Sequence, residues 1–372
     1  FSKMNTTIGS EQSQESTGSA AKKPTISLRQ FNPDLILGDE IAPPSGNSAG
    51  DSRMAAVGHE VFCVRYSPDG QFIAAARGDG DIDVYSSTTG NKVYALAAKP
   101  AEPSPTCCIR FRPNTSSSKT RNVMLSVNAN GEVKHWHVTS MKCLHTINED
   151  PNQVYALDYR RDGLKFATAG QDYAVRFYDE ATKTLQTTLT GGYGRTKAGH
   201  SNRVFSLKFS SEDENTLISA GWDNTIQIWD VRTDVPVRSI FGPHITGDSV
   251  DLFGNYVLSA SWRPDKPLQL WDLRTCGLLK DYNWVNHDNP CMLYAAQFSK
   301  DPMARHVIGG GSGSNEARIY ERESGSLVGT MRGMRQGVYS VDFHPTASQV
   351  AVASGDGTVR TFDYSRPPAH QG

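Results

Sequence analysis

The sequence predicts an all-β protein built from seven similar units, and three observations lead to this fold class. Runs in which apolar and polar residues alternate, such as VFSLKF, TLISA and TIQIW between residues 204 and 229, indicate short β-strands separated by polar turns. The same order of strands returns along the chain, with an aromatic residue in the third strand of each unit. These aromatic positions, spaced by 42 to 51 residues, are Tyr85, Trp136, Tyr178, Trp229, Trp271, Tyr320 and Phe362.

One unit, residues 199–232, shows the pattern most completely. It opens with Gly-His, places Asp223 six residues before Trp229, and closes with Trp-Asp. This combination resembles one repeat of the WD-repeat β-propeller family, whose repeat measures about 40 to 45 residues. The resemblance extends over residues 52–364 and implies a single seven-bladed β-propeller with an N-terminal extension.

The resemblance also implies a structural role for the most polar cluster of that unit. Four residues match a hydrogen-bonded chain that fastens a blade, the structural tetrad: His200, Ser219, Asp223 and Trp229. A buried carboxylate requires hydrogen-bond partners, which a hydroxyl and a neutral imidazole can supply. In other units the acid returns as Asp79, Asp172, Asp265 and Asp356, the hydroxyl as Ser126, Thr168 and Ser261, and the histidine as His59 and His244.

The ends of the chain differ from the repeats. Residues 1–24 are rich in Ser, Thr, Gly and Gln without apolar periodicity, which predicts a disordered tail. Residues 25–51 carry apolar side chains ahead of a Pro-Pro-Ser-Gly break, and we interpret them as an extension. It is either an arm packed along the propeller or a linear motif that binds a partner. The propeller is predicted over residues 52–366, followed by a C-terminal tail at 367–372.

The last unit lacks an outer strand, because its third strand, TVRTFDY, runs into Pro367 and Pro368. A strand from before His59 would complete this blade and leave no free sheet edge at the junction. Residues 52–57 fit this role best. We therefore expect the ring to be closed by a strand from the beginning of the chain.

Composition bears on compartment and partners. The net charge of −1 and the pI near 6.9 give no overall field that favours nucleic acid or an anionic membrane. The six cysteines show no CxxC pair and no disulfide-scaffold spacing, which predicts reduced thiols. No apolar run approaches the roughly 18 residues of a membrane span, and no signal core is visible. We predict a cytoplasmic protein, with nuclear or ciliary and cytoskeletal locations as alternatives.

No residue pattern points to catalysis or to a cofactor. The sequence has no nucleophile signature, no HExxH and no cofactor fingerprint. Antiparallel pairing in blade 2 would place four possible zinc ligands on one face, namely His135, His137, Cys143 and His145. However, His137 stands where the repeat has Asp, and His145 occupies a common polar position of the family. We predict no catalytic residues, no metal and no cofactor.

The resemblance locates a candidate binding surface. In WD-repeat propellers, the loops before the first strand and between the second and third strands share one face, here called the top face. The residue after the first-strand valine points into the channel there. These channel-mouth residues are Phe62, Cys107, Tyr155, Phe205, Asp248, Tyr294 and Tyr339, and neighbouring turns add Arg203, Trp222, Trp262 and Arg263. All except Cys107 are candidate partner-binding residues, because aromatic and arginine side chains anchor interfaces. The alternative is that the rings only plug the channel.

We predict a non-enzymatic scaffold that binds peptide segments or partner proteins on the top face, without nucleic acid or membrane. It would be monomeric alone and act within a complex. On the opposite face, WDVR and WDLR place Arg232 and Arg274 two residues after an aspartate. This is similar to the motif with which substrate receptors of cullin-RING ubiquitin ligases bind their adaptor, which gives a first alternative. An enzyme or small-molecule binder that uses the channel is the second.

Overall fold

The chain folds into seven four-stranded antiparallel sheets, and the predicted seven-bladed, all-β architecture is confirmed. Within the described part of the chain there is no α-helix, and one 3-10 helix lies at Val138–Ser140. The computed structural model describes residues 27–30 (backbone only), 60–97, 104–115, 120–191, 199–284 and 289–364.

Each blade takes four strands from the chain, except that blade 7 takes three and borrows the first strand, β1. Strand β1 is Ser27–Gln30; blade 1 contains β2 (Val61–Tyr66), β3 (Phe72–Arg77), β4 (Ile82–Ser86) and β5 (Lys92–Leu96), and blade 2 contains β6 (Thr106–Phe111), β7 (Val123–Asn128), β8 (Glu132–His137) and β9 (Lys142–Asn148). Blade 3 contains β10 (Val154–Tyr159), β11 (Lys165–Gly170), β12 (Val175–Asp179) and β13 (Leu185–Leu189), and blade 4 contains β14 (Val204–Phe209), β15 (Thr216–Gly221), β16 (Thr225–Asp230) and β17 (Pro236–Phe241). Blade 5 contains β18 (Val250–Phe253), β19 (Tyr256–Ala260), β20 (Leu268–Asp272) and β21 (Leu278–Asp281), blade 6 contains β22 (Met292–Phe298), β23 (His306–Ser312), β24 (Ala317–Glu321) and β25 (Leu327–Met331), and blade 7 contains β26 (Val338–Phe343), β27 (Gln349–Ser354) and β28 (Val359–Asp363).

The blades close into a ring around a central channel. The first strand of each blade packs against the first strand of the next, and β26 packs against β2 to complete the circle. Apolar clusters between neighbouring sheets form the core. Because the inner strands lie between two other blades, β7 is buried at every position, whereas the outer strand β9 is exposed at nearly every position.

Polar side chains on the innermost strands connect neighbouring blades. The carboxylate of Asp342 accepts a hydrogen bond from the backbone N–H of Tyr66 (2.7 Å), which joins blade 7 to blade 1. Asp158 accepts one from the N–H of Phe209 (2.9 Å), which joins blades 3 and 4. Asp251 accepts a hydrogen bond from the N–H of Phe298 (2.8 Å), which joins blades 5 and 6. Gln297 accepts one from the N–H of Phe343 (2.7 Å), which joins blades 6 and 7. These bonds fix the spacing of the blades around the channel.

A strand from the beginning of the chain closes the ring, as predicted, but its position was predicted wrongly. β1 pairs antiparallel with β28, with Leu28 opposite Phe362. The outermost place of blade 7 is therefore taken by Ser27–Gln30 and not by residues 52–57, which lie outside the described residues. Part of the range 25–51, interpreted as an extension, belongs to a propeller sheet. The predicted tails at 1–24 and 367–372 also lie outside the described residues.

Candidate functional site

Six of the seven channel-mouth residues lie at β-bulges, which turn their side chains toward the channel. In blade 1 the pairing register shifts between Val61 and Cys63, so Phe62 has no partner in the ladder. A bulge bends the strand and turns the extra side chain out of the regular alternation. In blade 5, Asp248 precedes β18 instead. The other bulged positions are Cys107, Tyr155, Phe205, Tyr294 and Tyr339.

The channel-mouth residues line one cavity of about 410 Å³. Pro105 and Ala129 of blade 2 and Thr246 and Gly247 of blade 5 complete its wall. The aromatic side chains at the mouth are half-buried, so each keeps part of its ring surface accessible. The rings therefore surround a hollow at the mouth of the channel.

Eight rings form a continuous series of contacts around this cavity, which we call the aromatic arc. It leaves the channel at blade 4, passes over the turns of blades 4 and 5, and returns at blade 6. In the first part of the arc, the distances between ring centroids are 4.9 Å for Tyr155 and Phe205, 5.1 Å for Phe205 and Trp222, 6.5 Å for Trp222 and His244, and 6.5 Å for His244 and Trp262. In the second part, they are 5.4 Å for Tyr294 and Tyr339 and 5.7 Å for Tyr339 and Phe62. Trp262 Nε1 donates a hydrogen bond to Tyr294 Oη (3.0 Å), which joins the two parts.

The arc combines rigidity with exposure. Trp222 and Trp262 are 37% and 39% exposed. Each ring is nevertheless held by its neighbours at distances typical of aromatic pairs. A preorganised apolar surface loses little side-chain entropy when a ligand covers it.

The two arginines predicted to face a partner have different surroundings. The guanidinium of Arg203 stacks on Trp222, 5.3 Å from the ring centroid. In contrast, the Arg263 guanidinium donates to the carbonyls of Asp265 and Lys266 and to Gln269 Oε1 (2.8 Å). Arg263 therefore stabilises its own turn, and Arg203 is the arginine presented at the mouth.

Asp248 is paired across the channel. Its carboxylate accepts two hydrogen bonds from Arg110 (2.7 and 2.9 Å) and forms an ion pair with Arg65. Asp248 belongs to blade 5 and the arginines to blades 1 and 2, so this triad spans the channel. The arginines also line a second cavity of about 340 Å³ at the other end. Asp248 is predicted as a partner-binding residue, but two cations already compensate its carboxylate.

A pair of buried thiols adjoins the triad. Cys63, Cys108 and Asp248 offer ligand atoms within 4.8 Å of one another. However, Arg110 donates to Cys108 Sγ (3.2 Å) and Arg65 is paired with Asp248, so two of the three possible ligands already contact cations. A hydrogen bond with Cys63 is the main cause that lowers the pKa of Cys108 to about 6, and the charge of Arg110 adds to it. A metal ion at this cluster would have to displace the contacts of Arg65 and Arg110.

The four possible zinc ligands of blade 2 are not brought together. Cys143 pairs with Trp136, between the two histidines, because the register of β8 and β9 shifts there. His135 is buried with its Nε2 3.1 Å from Glu180, whereas His137 Nδ1 contacts Ser140 Oγ (2.7 Å). The assumption that all four share one face is wrong for Cys143.

The tetrad residues of blade 4 form an unbroken chain of hydrogen bonds. His200 Nδ1 lies 2.7 Å from Asp223 Oδ2 and its Nε2 lies 2.6 Å from Ser219 Oγ. Trp229 Nε1 donates to the same hydroxyl (2.7 Å). Burial acts to raise the pKa of Asp223, but the hydrogen bonds from His200 and Thr225 outweigh it and hold that pKa below its usual value. These hydrogen bonds hold the second and third strands of the blade to the loop that precedes its first strand.

The tetrad positions differ in two other blades. In blade 5, Trp271 Nε1 donates to Ser259 (2.9 Å), so the predicted hydroxyl, Ser261, is wrong by two residues. His244 contacts Asn224 Oδ1 (2.6 Å) and stacks in the aromatic arc, so its predicted tetrad role is also wrong. In blade 3, Glu149 takes the place of the histidine by accepting hydrogen bonds from Thr168 and Tyr178.

The predicted adaptor-docking arginines lie in turns after third strands, at the end opposite the mouth. Arg232 is 69% exposed at its side chain, and its guanidinium pairs with Asp230 (2.6 Å). Arg274 is exposed, and its backbone N–H donates to Asp272 (3.0 Å). Both side chains are accessible to a partner at this face.

Three residues of the site were not predicted. His244 was assigned to a tetrad, whereas Arg65 and Arg110 were not considered. The two arginines occupy the same place in their strands, three positions after the channel-mouth residue. Comparing that second position across the repeats would have revealed the polar layer beneath the aromatic arc.

Comparisons with known proteins agree with the repeat architecture. A family model described as WD domain, G-beta repeat, matches residues 141–179, 191–230 and 325–363. A model described as the Anaphase-promoting complex subunit 4 WD40 domain matches residues 50–114. In the described part of the chain, no helix has the length and apolar character needed to cross a membrane.

Several curated proteins are similar to this chain, and one of them is named as a WD repeat-containing protein. The WD repeat-containing protein slp1 of Schizosaccharomyces pombe is 25% identical over 63% of this chain and 45% of its own length. A DDB1- and CUL4-associated factor 11 homolog of Caenorhabditis briggsae is 25% identical over 59% and 47%. Nuclear distribution protein nudF of Emericella nidulans is 27% identical over 46% and 42%. The chain thus spans about half the length of the curated relatives it matches. The chain thus carries WD repeats and folds into a seven-bladed β-propeller.

Proposed function

We propose that this protein is a non-enzymatic interaction scaffold that binds a peptide segment of a partner protein on its top face. The observation that carries the proposal is the aromatic arc, which borders a cavity of about 410 Å³ and exposes more than a third of Trp222 and Trp262. Clustered aromatic side chains beside a hollow are the kind of surface from which interface hot spots are built. The arc extends beyond the channel wall, so filling the channel does not account for the exposed tryptophans.

The test removes the exposed part of the arc. We expect Trp222→Ala/Trp262→Ala to lose proteins that wild type captures from native cells, as quantified by mass spectrometry. A matched control, Val237→Ala/Leu279→Ala, removes apolar side chains that are 54% and 50% exposed on outer strands of the same blades. Loss of two hot spots weakens binding by at least about 2 kcal/mol, or roughly thirtyfold. An unchanged set of captured proteins, with both variants folded, would count against the proposal.

A second candidate function is substrate reception for a cullin-RING ubiquitin ligase. It is supported by the exposed Arg232 and Arg274 side chains and by similarity to a protein named as a DDB1- and CUL4-associated factor. Under this hypothesis, Arg232→Ala/Arg274→Ala abolishes co-purification of a cullin complex and leaves top-face binding intact. Retained co-purification, or none with wild type, rejects it.

A further inference from the structure

The charges at the channel mouth are unevenly compensated. The carboxylate of Asp248 lies in the cavity wall, but it is already paired with Arg65 and Arg110. A basic side chain entering the cavity would have to compete with two cations held at ion-pair distance. Glu60 lies on the far side, near Phe62 and Tyr339, and is not paired with Arg203. Asp248, the carboxylate in the cavity wall, therefore offers no uncompensated negative charge.

Arg203 has the opposite character. Among the described residues, no carboxylate lies within ion-pair distance of its guanidinium, and no side-chain hydrogen bond satisfies its N–H groups. The guanidinium lies over the face of Trp222, 5.3 Å from the ring centroid, and the ring offers its N–H donors no oxygen acceptor. An arginine held in this way is suited to a carboxylate, which it can bind through two parallel hydrogen bonds.

We infer that the top face selects a peptide segment in which an aspartate or glutamate stands beside an apolar side chain. The carboxylate pairs with Arg203, and the apolar side chain enters the cavity bordered by Tyr155 and Phe205. Tyr155 and Phe205 stack at 4.9 Å, and Phe205 contacts Trp222, so the apolar and acidic subsites adjoin. This inference rests on the proposed peptide-binding function and adds the charge of the ligand to it.

The test uses a phage-displayed library of random linear peptides, selected separately on wild type, Arg203→Glu and Trp222→Ala/Trp262→Ala. We expect wild type to enrich peptides with Asp or Glu next to an apolar residue. We expect Arg203→Glu to enrich Lys or Arg in the same place, because Trp222 also supports a cation. Arg238→Glu makes the same charge change on the exposed outer strand of blade 4 and should keep the wild-type preference.

A second measurement uses the most enriched peptide, synthesised with both ends blocked, and its Asn or Gln analogue. We expect the analogue to bind wild type at least about tenfold more weakly, and Arg203→Gln to bind both peptides equally. Enrichment without acidic residues, or equal affinity of the two peptides for wild type, overturns the inference while peptide binding stands. Enrichment on wild type no greater than on the double tryptophan variant overturns the proposed function together with the inference.

Discussion

Asp248 illustrates how a residue that looks like a ligand-binding group can be part of the framework. It occupies a channel-mouth position where five of the seven residues are aromatic. Its carboxylate is 2.7 Å from Arg110 and in direct contact with Arg65, and all three side chains are at most 16% exposed. Removing one partner from a buried ion pair leaves the remaining charge without compensation. Asp248 is thus expected to stabilise the channel more than it contributes to binding.

Asp248→Asn should therefore destabilise the protein, by about 3 kcal/mol, because Arg65 and Arg110 remain in place without their acid. Urea unfolding at neutral pH, followed by tryptophan fluorescence, measures this change. Glu60→Gln is the control, since it removes a negative charge at the same mouth outside the triad. Equal stability of the two variants would show that the triad does not hold the channel together.

At the scale of elements, bulges and the closing strand matter most. A bulge in the innermost strand of six blades turns one side chain toward the mouth without disturbing the rest of the ladder. β1 covers β28, which otherwise would be an open edge at the junction of the ring. The first feature builds the proposed binding surface, and the second allows the ring to close.

Truncation tests the closing strand. We expect deletion of residues 1–31 to lower the melting temperature and promote aggregation, because β28 loses its partner and exposes an unpaired edge. Deletion of residues 1–24 retains Ser27–Gln30 and should leave both properties unchanged. If the two deletions behave alike, the pairing of β1 with β28 does not contribute to stability.

At the scale of the whole molecule, the ring behaves as one unit because its last blade is bonded to its first. Asp342 accepts from the N–H of Tyr66 and pairs with Lys300 (2.8 Å), while the N–H of Val64 donates to Ser340 (3.1 Å). In an open solenoid, stability is carried by neighbouring repeats and the ends can open separately. A closed ring has no such end, so unfolding is expected to be cooperative.

Acid should destabilise this unit in two stages. Burial lowers the pKa of His135, His244 and His344, so each favours its neutral form in the folded state. The unfolded chain binds those protons near pH 6.5, and stability therefore falls as the pH drops below about 6.5. Burial acts to raise the pKa of Asp342, but the charges of Lys300 and Arg65 outweigh it, so that pKa is lowered. Its contribution is present above about pH 4 and is lost below.

Urea midpoints measured from about pH 8 to about pH 3 check both stages. Tryptophan fluorescence and far-UV circular dichroism should give coincident transitions at each pH. Asp342→Asn should lower the midpoint at neutral pH and reduce the fall below about pH 4. A midpoint that stays constant between neutral pH and about pH 5, or separate transitions for the two probes, would contradict this account.

The sequence by itself determined the all-β class, the number of blades, the tetrad of blade 4 and the residues at the channel mouth. The class and the number of blades follow from alternation and a repeat period, which are local properties of the chain, and the tetrad and the channel-mouth positions follow from the resemblance to WD repeats. Tertiary structure decided which segment closes the ring, that His244 belongs to the aromatic arc, and that Asp248 is paired while Arg203 is not. Those outcomes depend on residues of different blades that meet only when the ring is closed, and such distances are not encoded in the spacing of a single repeat.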